Sequence, residues 1–493
     1  MIWQELPGTH DIDHPLSHVH LIGVGGAGMS ALALVLLAKG NVKVTGSDLK
    51  DSRYTRALRE AGMEVASGHA AANLTDPDVV VVSTAITDNN PELMEARRRD
   101  IPVWPRAQML AWLCQGRRTI AVAGTHGKTS TSSMIAVMLT ELGEDPGFCI
   151  GGQITQFETN ARAGSGIDFV VEADESDRSF LYLHPQMVVL TNLEPDHLDH
   201  YKDLADIQDT FTTFLRQVNL KGVVIVSGGN EAALAAAAAS GRQVVRYGTQ
   251  ESDEYCFAQI EPSGEGSAFQ LRYPNGTLHR AQILLPGIHM VANAVAALAV
   301  ADQLGIPAER AIEALRSFAG VHRRFDHVGT TADGIKVVDD YGHHPTEIAT
   351  TLRGAARLDA GRVVVVFQPH RYSRTQAFAE AFGDAFSAAD KVILTDVYSA
   401  GETPIPGVTG RTILESLLAR HPHIDVAYLP HRSEIVPYLE QSLRPGDMLI
   451  TMGAGDVTLL GPQFLEHHAR ELEERARSAQ RSVAATTAGQ IPV

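Results

Sequence analysis

The sequence predicts an α/β protein of three domains, with parallel sheets carrying the nucleotide-binding turns. Short apolar runs alternate with stretches of helical periodicity from Val19 to Met452. Two glycine-bearing turns each stand between a strand and a helix. The 493 residues are enough for three cores of roughly 150 residues each. The expected limits are 1–115, 116–320 and 321–475, with a tail at 476–493. That tail is helix-like and charged, then rich in Ala, Thr and Gly, and is expected to fray.

In the first domain, a strand from Val19 runs into Gly23-Val-Gly25-Gly26-Ala27-Gly28, a GxGxxG turn, and then a helix with Met29, Leu32, Ala33 and Leu36 on one face. A second strand, Val42 to Thr45, ends in Gly46-Ser47-Asp48. An acid about twenty residues past the last glycine is the pattern that holds a ribose hydroxyl beside a diphosphate. Taken alone, this describes a diphosphate-bearing nucleotide, of which NAD is the usual one. Val79 to Val82 ends in Ser83-Thr84-Ala85, small polar groups at the sheet edge where ligands sit. Pro102 and Pro105 bracket the exit from this domain.

The central domain opens with the strand Thr119 to Ala123 and the turn Gly124-Thr125-His126-Gly127-Lys128-Thr129-Ser130, followed by a helix. Freed N–H groups and the helix dipole at such a turn favour phosphate. Lys128 is spaced to reach the terminal phosphates of ATP and Thr129 to sit on its Mg²⁺. Val122 stands where the longer P-loop pattern has its first glycine, so the match is to a shorter variant. The strand Phe169-Val-Val delivers Glu172, Asp174, Glu175 and Asp177 to the same edge, and a carboxylate there is the natural second ligand for Mg²⁺. After Met187 to Leu190 comes Thr191 to His200, dense in acids and histidines. A metallohydrolase is the alternative for that stretch, but no HxHxD or HExxH spacing supports it. Strands at Val223 to Val226 and Val244 to Tyr247 flank an alanine-rich helix, and Phe269 to Leu285 reads as a hairpin around Asn275-Gly276. This antiparallel flap precedes a long helix that sets His289 and Asn293 four apart, facing a base or ribose.

The third domain alternates strand and helix again, with strands at Lys336 to Val338, Val363 to Phe367, Val392 to Thr395 and Met448 to Met452. Polar residues follow each one, as in parallel sheets that bind ligands at their carboxyl edge. Arg371 and Arg374 are spaced to offer forked donors from one helix face to a carboxylate or phosphate.

Charge and cysteine content narrow the function. With 41 basic against 58 acidic residues the net charge is −17, which argues against nucleic acid or an anionic membrane as partner. The three cysteines fit neither a zinc pattern nor a disulfide framework, no secretory signal opens the sequence, and the apolar run Met29 to Ala38 is shorter than the ~20 residues of a membrane span. A cytoplasmic protein, monomer or homodimer, is expected.

Several motifs together resemble the Mur ligases of bacterial peptidoglycan synthesis. They are GVGGAGMS (Gly23 to Ser30), AGTHGKTST (Ala123 to Thr131), EADESD (Glu172 to Asp177), EPDHLD (Glu194 to Asp199), RRFD (Arg323 to Asp326), DDYGHHPTE (Asp339 to Glu347) and PHRYSRT (Pro369 to Thr375). The resemblance covers about His18 to Asp456 and is strongest to the branch that adds L-alanine. It implies an N-terminal Rossmann-like UDP-binding domain, a central P-loop ATPase-like domain and a C-terminal Rossmann-like domain. The diphosphate at the first turn is then that of a UDP-sugar, held by Gly23, Gly25, Gly26, Ala27, Gly28, Asp48, Ser83 and Thr84. ATP falls to Gly124 through Ser130, His289, Asn293, Arg324 and Asp340. Two Mg²⁺ are implied, with Thr129, Glu172 and His197 as ligands. Lys128, Glu172, His197 and His343 are the implied catalytic set, and His343, Arg371 and Arg374 face the amino-acid substrate. The implied activity is ATP-dependent ligation of L-alanine to the lactyl carboxylate of UDP-N-acetylmuramate through an acyl phosphate. A sibling that recycles tripeptide onto the same UDP-sugar shares many of these motifs and is the alternative. Other siblings hold the second Mg²⁺ with a carbamylated lysine, and Phe211 to Arg216 contains none. One departure is Met290, where the family usually has Asn after the histidine, which puts a hydrogen bond near the adenine in doubt.

Overall fold

A computed structural model of the chain describes residues 15–488 apart from 84, 198, 199, 265, 359 and 360. The residues form two compact units, Met1–Leu284 with His289–Val321, and Leu285–Ile288 with His322–Val493.

The first unit holds two sheets. The N-terminal one comprises β1 (His18–Ile22), β2 (Lys43–Asp48), β3 (Glu64–Ser67), β4 (Val79–Val82) and β5 (Val103–Pro105). Their order is β3-β2-β1-β4-β5 and every pairing is parallel. β1 and β4 are interior and buried throughout; β4 is all valine, whereas β1 alternates its apolar residues with His18 and His20, each bonded to the Thr45 hydroxyl at 2.9 Å. Pro102 precedes β5 and Pro105 ends it, at the sheet's edge, where a missing N–H is tolerated.

The second sheet has ten strands: β6 (Arg118–Ala123), β7 (Gly147–Ile154), β8 (Thr159–Arg162), β9 (Asp168–Glu172), β10 (Met187–Leu190), β11 (Val223–Ser227), β12 (Gln243–Gly248), β13 (Tyr255–Ser263), β14 (Gly266–Arg272) and β15 (Leu278–Ile283). The order is β15-β14-β13-β12-β11-β10-β6-β9-β7-β8. Parallel pairing runs from β13 to β7, and the two ends are antiparallel. The hairpin predicted at Asn275-Gly276 joins β14 to β15, with Gly276 at φ +82° and its N–H donating to the Tyr273 carbonyl. The helix Lys128–Glu141 that follows β6 is buried from Thr129 to Leu139. It is therefore fixed on all sides rather than along one stripe.

The second unit carries β16 (Asp326–Thr330), β17 (Lys336–Asp340), β18 (Val363–Phe367), β19 (Lys391–Leu394), β20 (Asp425–Tyr428) and β21 (Met448–Met452) in the order β16-β17-β21-β18-β19-β20. All pairs are parallel except β16 with β17, so the expectation of a wholly parallel layer fails at that edge. A helix spans Leu460–Ala488, which agrees with the helix-like character of the tail as far as 488. Among the described residues no helix is long and apolar enough to cross a membrane.

Candidate active site

β6 lies between β10 and β9 at the centre of its sheet, so the turns after these three strands converge. The turn after β6 is locked by the end of β10. The Thr191 hydroxyl donates to the His126 carbonyl at 2.6 Å, Asn192 accepts from the His126 N–H at 2.9 Å, and the Asn192 carbonyl accepts from the Thr125 N–H at 3.0 Å. Gly124 has φ +130°, and a Cβ there would strike the Thr191 hydroxyl and lie 2.8 Å from the Asn192 carbonyl oxygen. Only glycine fits.

Lys128 and Thr129 then open the helix. The Lys128 ammonium donates to the Gly124 carbonyl at 2.6 Å, to the Thr125 carbonyl at 3.1 Å and to Glu175 Oε1 at 2.7 Å. The Thr129 hydroxyl donates to Glu172 Oε1 at 3.0 Å, while Glu172 Oε2 accepts the Gly151 N–H at 2.7 Å. Thr129 and Glu172 thus stand together as an all-oxygen pair, the donor chemistry that Mg²⁺ takes. His197 stands by the neighbouring acids, its Nε2 3.9 Å from Glu175 Oε1 and 3.7 Å from Asp196 Oδ2. Burial pushes the Glu175 carboxyl up to about 7, with the Lys128 ammonium opposing. Burial works against the charge on Lys128, but Glu175, Glu172 and Asp174 outweigh it and raise the ammonium above its ordinary value. At 2.7 Å the geometry is that of an ion pair.

Asn293, only 8% exposed, lies over the same turn, its Oδ1 2.9 Å from where a Cβ of Gly127 would sit. Met290 is buried beside it, and its sulfur is 3.9 Å from the Asn293 amide nitrogen. The departure at Met290 therefore supplies a soft contact to Asn293 in place of a second amide. Ser130 is buried in the first helical turn and His289 is half-buried.

The N-terminal turn lines a cleft of about 560 Å³, with Gly23, Gly25, Gly26, Gly28, Asp48 and Ser83 on its wall. Thr84 lies outside the described residues. Asp48 does more than face a ligand: Oδ2 accepts the Gly25 N–H at 2.7 Å and Oδ1 the Lys50 N–H at 2.9 Å. Gly151 and Asp174 also line this cleft. Through Gly151 it reaches Glu172 of the P-loop site.

In the second unit, Asp340 gives one oxygen to the Phe325 N–H (2.8 Å) and the other to the Gly342 N–H (2.7 Å), and burial pushes its carboxyl up to about 6. Arg324 stacks over Tyr341 at 5.0 Å and pairs with Glu347 at 3.5 Å, and the His343 N–H donates to that Glu347. Arg371 and Arg374 do not share a helix face. Arg371 has φ +70° and only caps the helix Tyr372–Ala377, with Glu402 3.9 Å away, whereas Arg374 is buried within the helix against His370 at 3.3 Å. A left-handed residue cannot continue the helix, so the spacing of three overstates their alignment. A cavity of about 300 Å³ at the ends of β18, β19 and β21 is lined by Gln368, Asp396, Tyr398 and Asp456, and not by His343, Arg371 or Arg374.

Three contributors escaped the sequence pattern. Glu175 sits in a motif of four acids, and only its contact with Lys128 singles it out. Asn192 follows an apolar strand, a position that could have been weighted. Arg106, which lines the cleft and pairs with Asp174 at 3.3 Å, follows a proline and carries no pattern at all.

Comparison with known proteins agrees with this layout. Residues 18–118 match the family described as Mur ligase family, catalytic domain; 122–301 match the Mur ligase middle domain; and 323–455 match the Mur ligase, glutamate ligase domain. The UDP-N-acetylmuramate–L-alanine ligase of Thermobifida fusca is 48% identical over 461 residues, covering 92% of this chain and 96% of that protein. The crystal structure of UDP-N-acetylmuramate-alanine ligase from Thermotoga maritima is 29% identical with a TM-score of 0.76, covering 93% and 100%. A murein peptide ligase from Psychrobacter arcticus is 27% identical with a TM-score of 0.68, covering 92% and 99%.

Proposed function

Because this chain belongs to the Mur ligase family, we propose that it joins L-alanine to the lactyl carboxylate of UDP-N-acetylmuramate, converting ATP to ADP and phosphate. The observation that carries this reading is the continuity of two sites in one unit: Gly151 lines the glycine-turn cleft and its N–H binds Glu172, which also holds Thr129 of the P-loop. A sugar nucleotide held by its diphosphate at Gly23 to Gly28 can present its acid where a phosphoryl group is gripped.

A carboxylate resists attack by an amine because its charge is delocalised. Transfer of the γ-phosphoryl group makes it an acyl phosphate, which the alanine amine attacks. The resulting tetrahedral intermediate expels phosphate to leave the amide. Charge grows first on phosphoryl oxygens, where Lys128 and the N–H groups of the turn stabilise it. Mg²⁺, held by Thr129 and Glu172 with His197 serving a second ion, would neutralise the same charge. Asn293 contacts the nucleotide. Arg324 and Asp340 are assigned to the nucleotide too, Asp340 chiefly by holding the turn that carries Tyr341 and Gly342. His343, Arg371 and Arg374 meet the amino-acid side of the reaction. We place the enzyme in the cytoplasm, as monomer or homodimer.

A coupled assay tests this: ADP release should require both UDP-N-acetylmuramate and L-alanine. Release that is indifferent to L-alanine, or that needs a tripeptide acceptor in its place, overturns the assignment.

A further inference from the structure

The ligation chemistry leaves Glu175 without a task, yet it is among the most constrained groups in the molecule. It is 4% exposed. Oε1 accepts from Lys128 at 2.7 Å, and Oε2 is buried with no hydrogen-bond partner among the described residues. Its backbone is tied down as well: the Tyr201 hydroxyl donates to the Glu175 carbonyl at 2.6 Å, and Arg178 covers the Tyr201 ring at 4.6 Å.

An ammonium has three N–H donors. Those of Lys128 are directed to Gly124, Thr125 and Glu175. A terminal phosphate can bond to this ammonium only if one of the three gives way. The two carbonyls are part of the turn that positions the lysine. Glu175 is the charged one, and its negative charge repels the incoming phosphate over the same few ångströms. Separation is opposed in turn, because a buried carboxylate stripped of its counter-charge is costly. His197, with Nε2 3.9 Å from the same oxygen, is a group able to take it up.

We propose that Glu175 is a positioning residue that competes with the terminal phosphates of the nucleotide for the Lys128 ammonium, so that a nucleoside triphosphate engages the lysine only by displacing this carboxylate. The inference rests on the assignment of the Gly124 to Ser130 turn to ATP. Its consequence is a penalty on nucleotides that depend on β- and γ-phosphates and none on those that lack them.

The test is calorimetric titration of the full chain with ATP and with AMP at saturating Mg²⁺. Glu175→Gln should tighten ATP about tenfold, the size of one charge-assisted hydrogen bond, and leave AMP within about twofold. Glu175→Asp, whose shorter carboxylate cannot keep the 2.7 Å contact, should tighten ATP by about threefold, which keeps the proposal testable if the Gln variant fails to fold. A merely structural role would move ATP and AMP together or neither. An ATP affinity that is unchanged or weakened in folded variants overturns the proposal, weakening being the mark of a metal ligand. If the wild-type chain binds no ATP, the nucleotide assignment falls with it. If ATP binds but no ADP is released with UDP-N-acetylmuramate and L-alanine, the ligase reading alone falls, and the ATP-to-AMP ratio still decides this proposal.

Discussion

After β1, the charged group nearest the glycines is a carboxylate, with Asp48 Oδ2 2.7 Å from the Gly25 nitrogen. After β6, it is the ammonium of Lys128, bonded to two carbonyls of its own turn. Both turns join a buried parallel strand to a helix start, so both offer N–H groups and a favourable dipole to an anion. The difference lies in what each adds. The first uses up a backbone donor on its own acid, which suits a diphosphate held in place while a neighbouring hydroxyl is recognised. The second brings a positive charge, which suits a phosphate whose charge grows during reaction. Holding and transferring are thus divided between two turns of similar backbone.

The sharpest way to break that division is Lys128→Ala. Turnover should fall by about a thousandfold or more, since the ammonium acts on the transferred group. UDP-sugar affinity measured by calorimetry should stay within about twofold, because the first turn contains none of the altered atoms. Parallel losses of both would merge the two sites. Next in size is Glu172→Ala, which removes the partner of Thr129. The Mg²⁺ concentration for half-maximal activity should rise about tenfold or more. A metal titration that superimposes on the wild type would take Glu172 out of the metal site.

How much of this was legible in the sequence depended on where a strand lies in its sheet. β4, β10, β18 and β21 are interior and all buried, so their apolar runs read directly. β3, β5, β8, β16 and β20 were missed, and all five are sheet edges; the interior β7 and β13 were missed as well, both of them strands with exposed positions, while the edge strand β15 was found through its Asn275-Gly276 turn. Edge strands such as Glu64–Ser67 and Asp425–Tyr428 are half-exposed and lack an apolar signature. The site divides in a similar way. Gly124, Lys128 and Thr129 belong to one continuous turn, so spacing located them. Glu175 depends on how the segment after β9 folds back: Arg178 takes φ +61°, and Tyr201 anchors the chain from 26 residues away. No local pattern encodes such a return. Arg371 shows the reverse error, since its spacing from Arg374 looked helical until a single positive φ removed it from the helix.

Smaller effects are expected at the first turn, and they sharpen the comparison by separating shape from charge. A Cβ on Gly25 would lie 2.7 Å from Asp48 Oδ2. Gly25→Ala must therefore push the acid aside, and the KM for the UDP-sugar should rise about tenfold with the KM for ATP unchanged.

Asp48→Asn should do least. Asn keeps a carbonyl oxygen for the Gly25 N–H and gives up an acceptor facing Lys50, whose N–H lies in an exposed setting where water replaces it. It also removes a negative charge beside the diphosphate, which offsets part of the loss. The KM for the UDP-sugar should then move by about twofold, against about tenfold for Asp48→Ala, which leaves the Gly25 N–H without its partner. If steady-state kinetics found Asn as damaging as Ala, the charge itself would be engaging the ligand. The first turn would then recognise its nucleotide by charge as the second does, and the contrast between holding and transferring would rest on Lys128 alone.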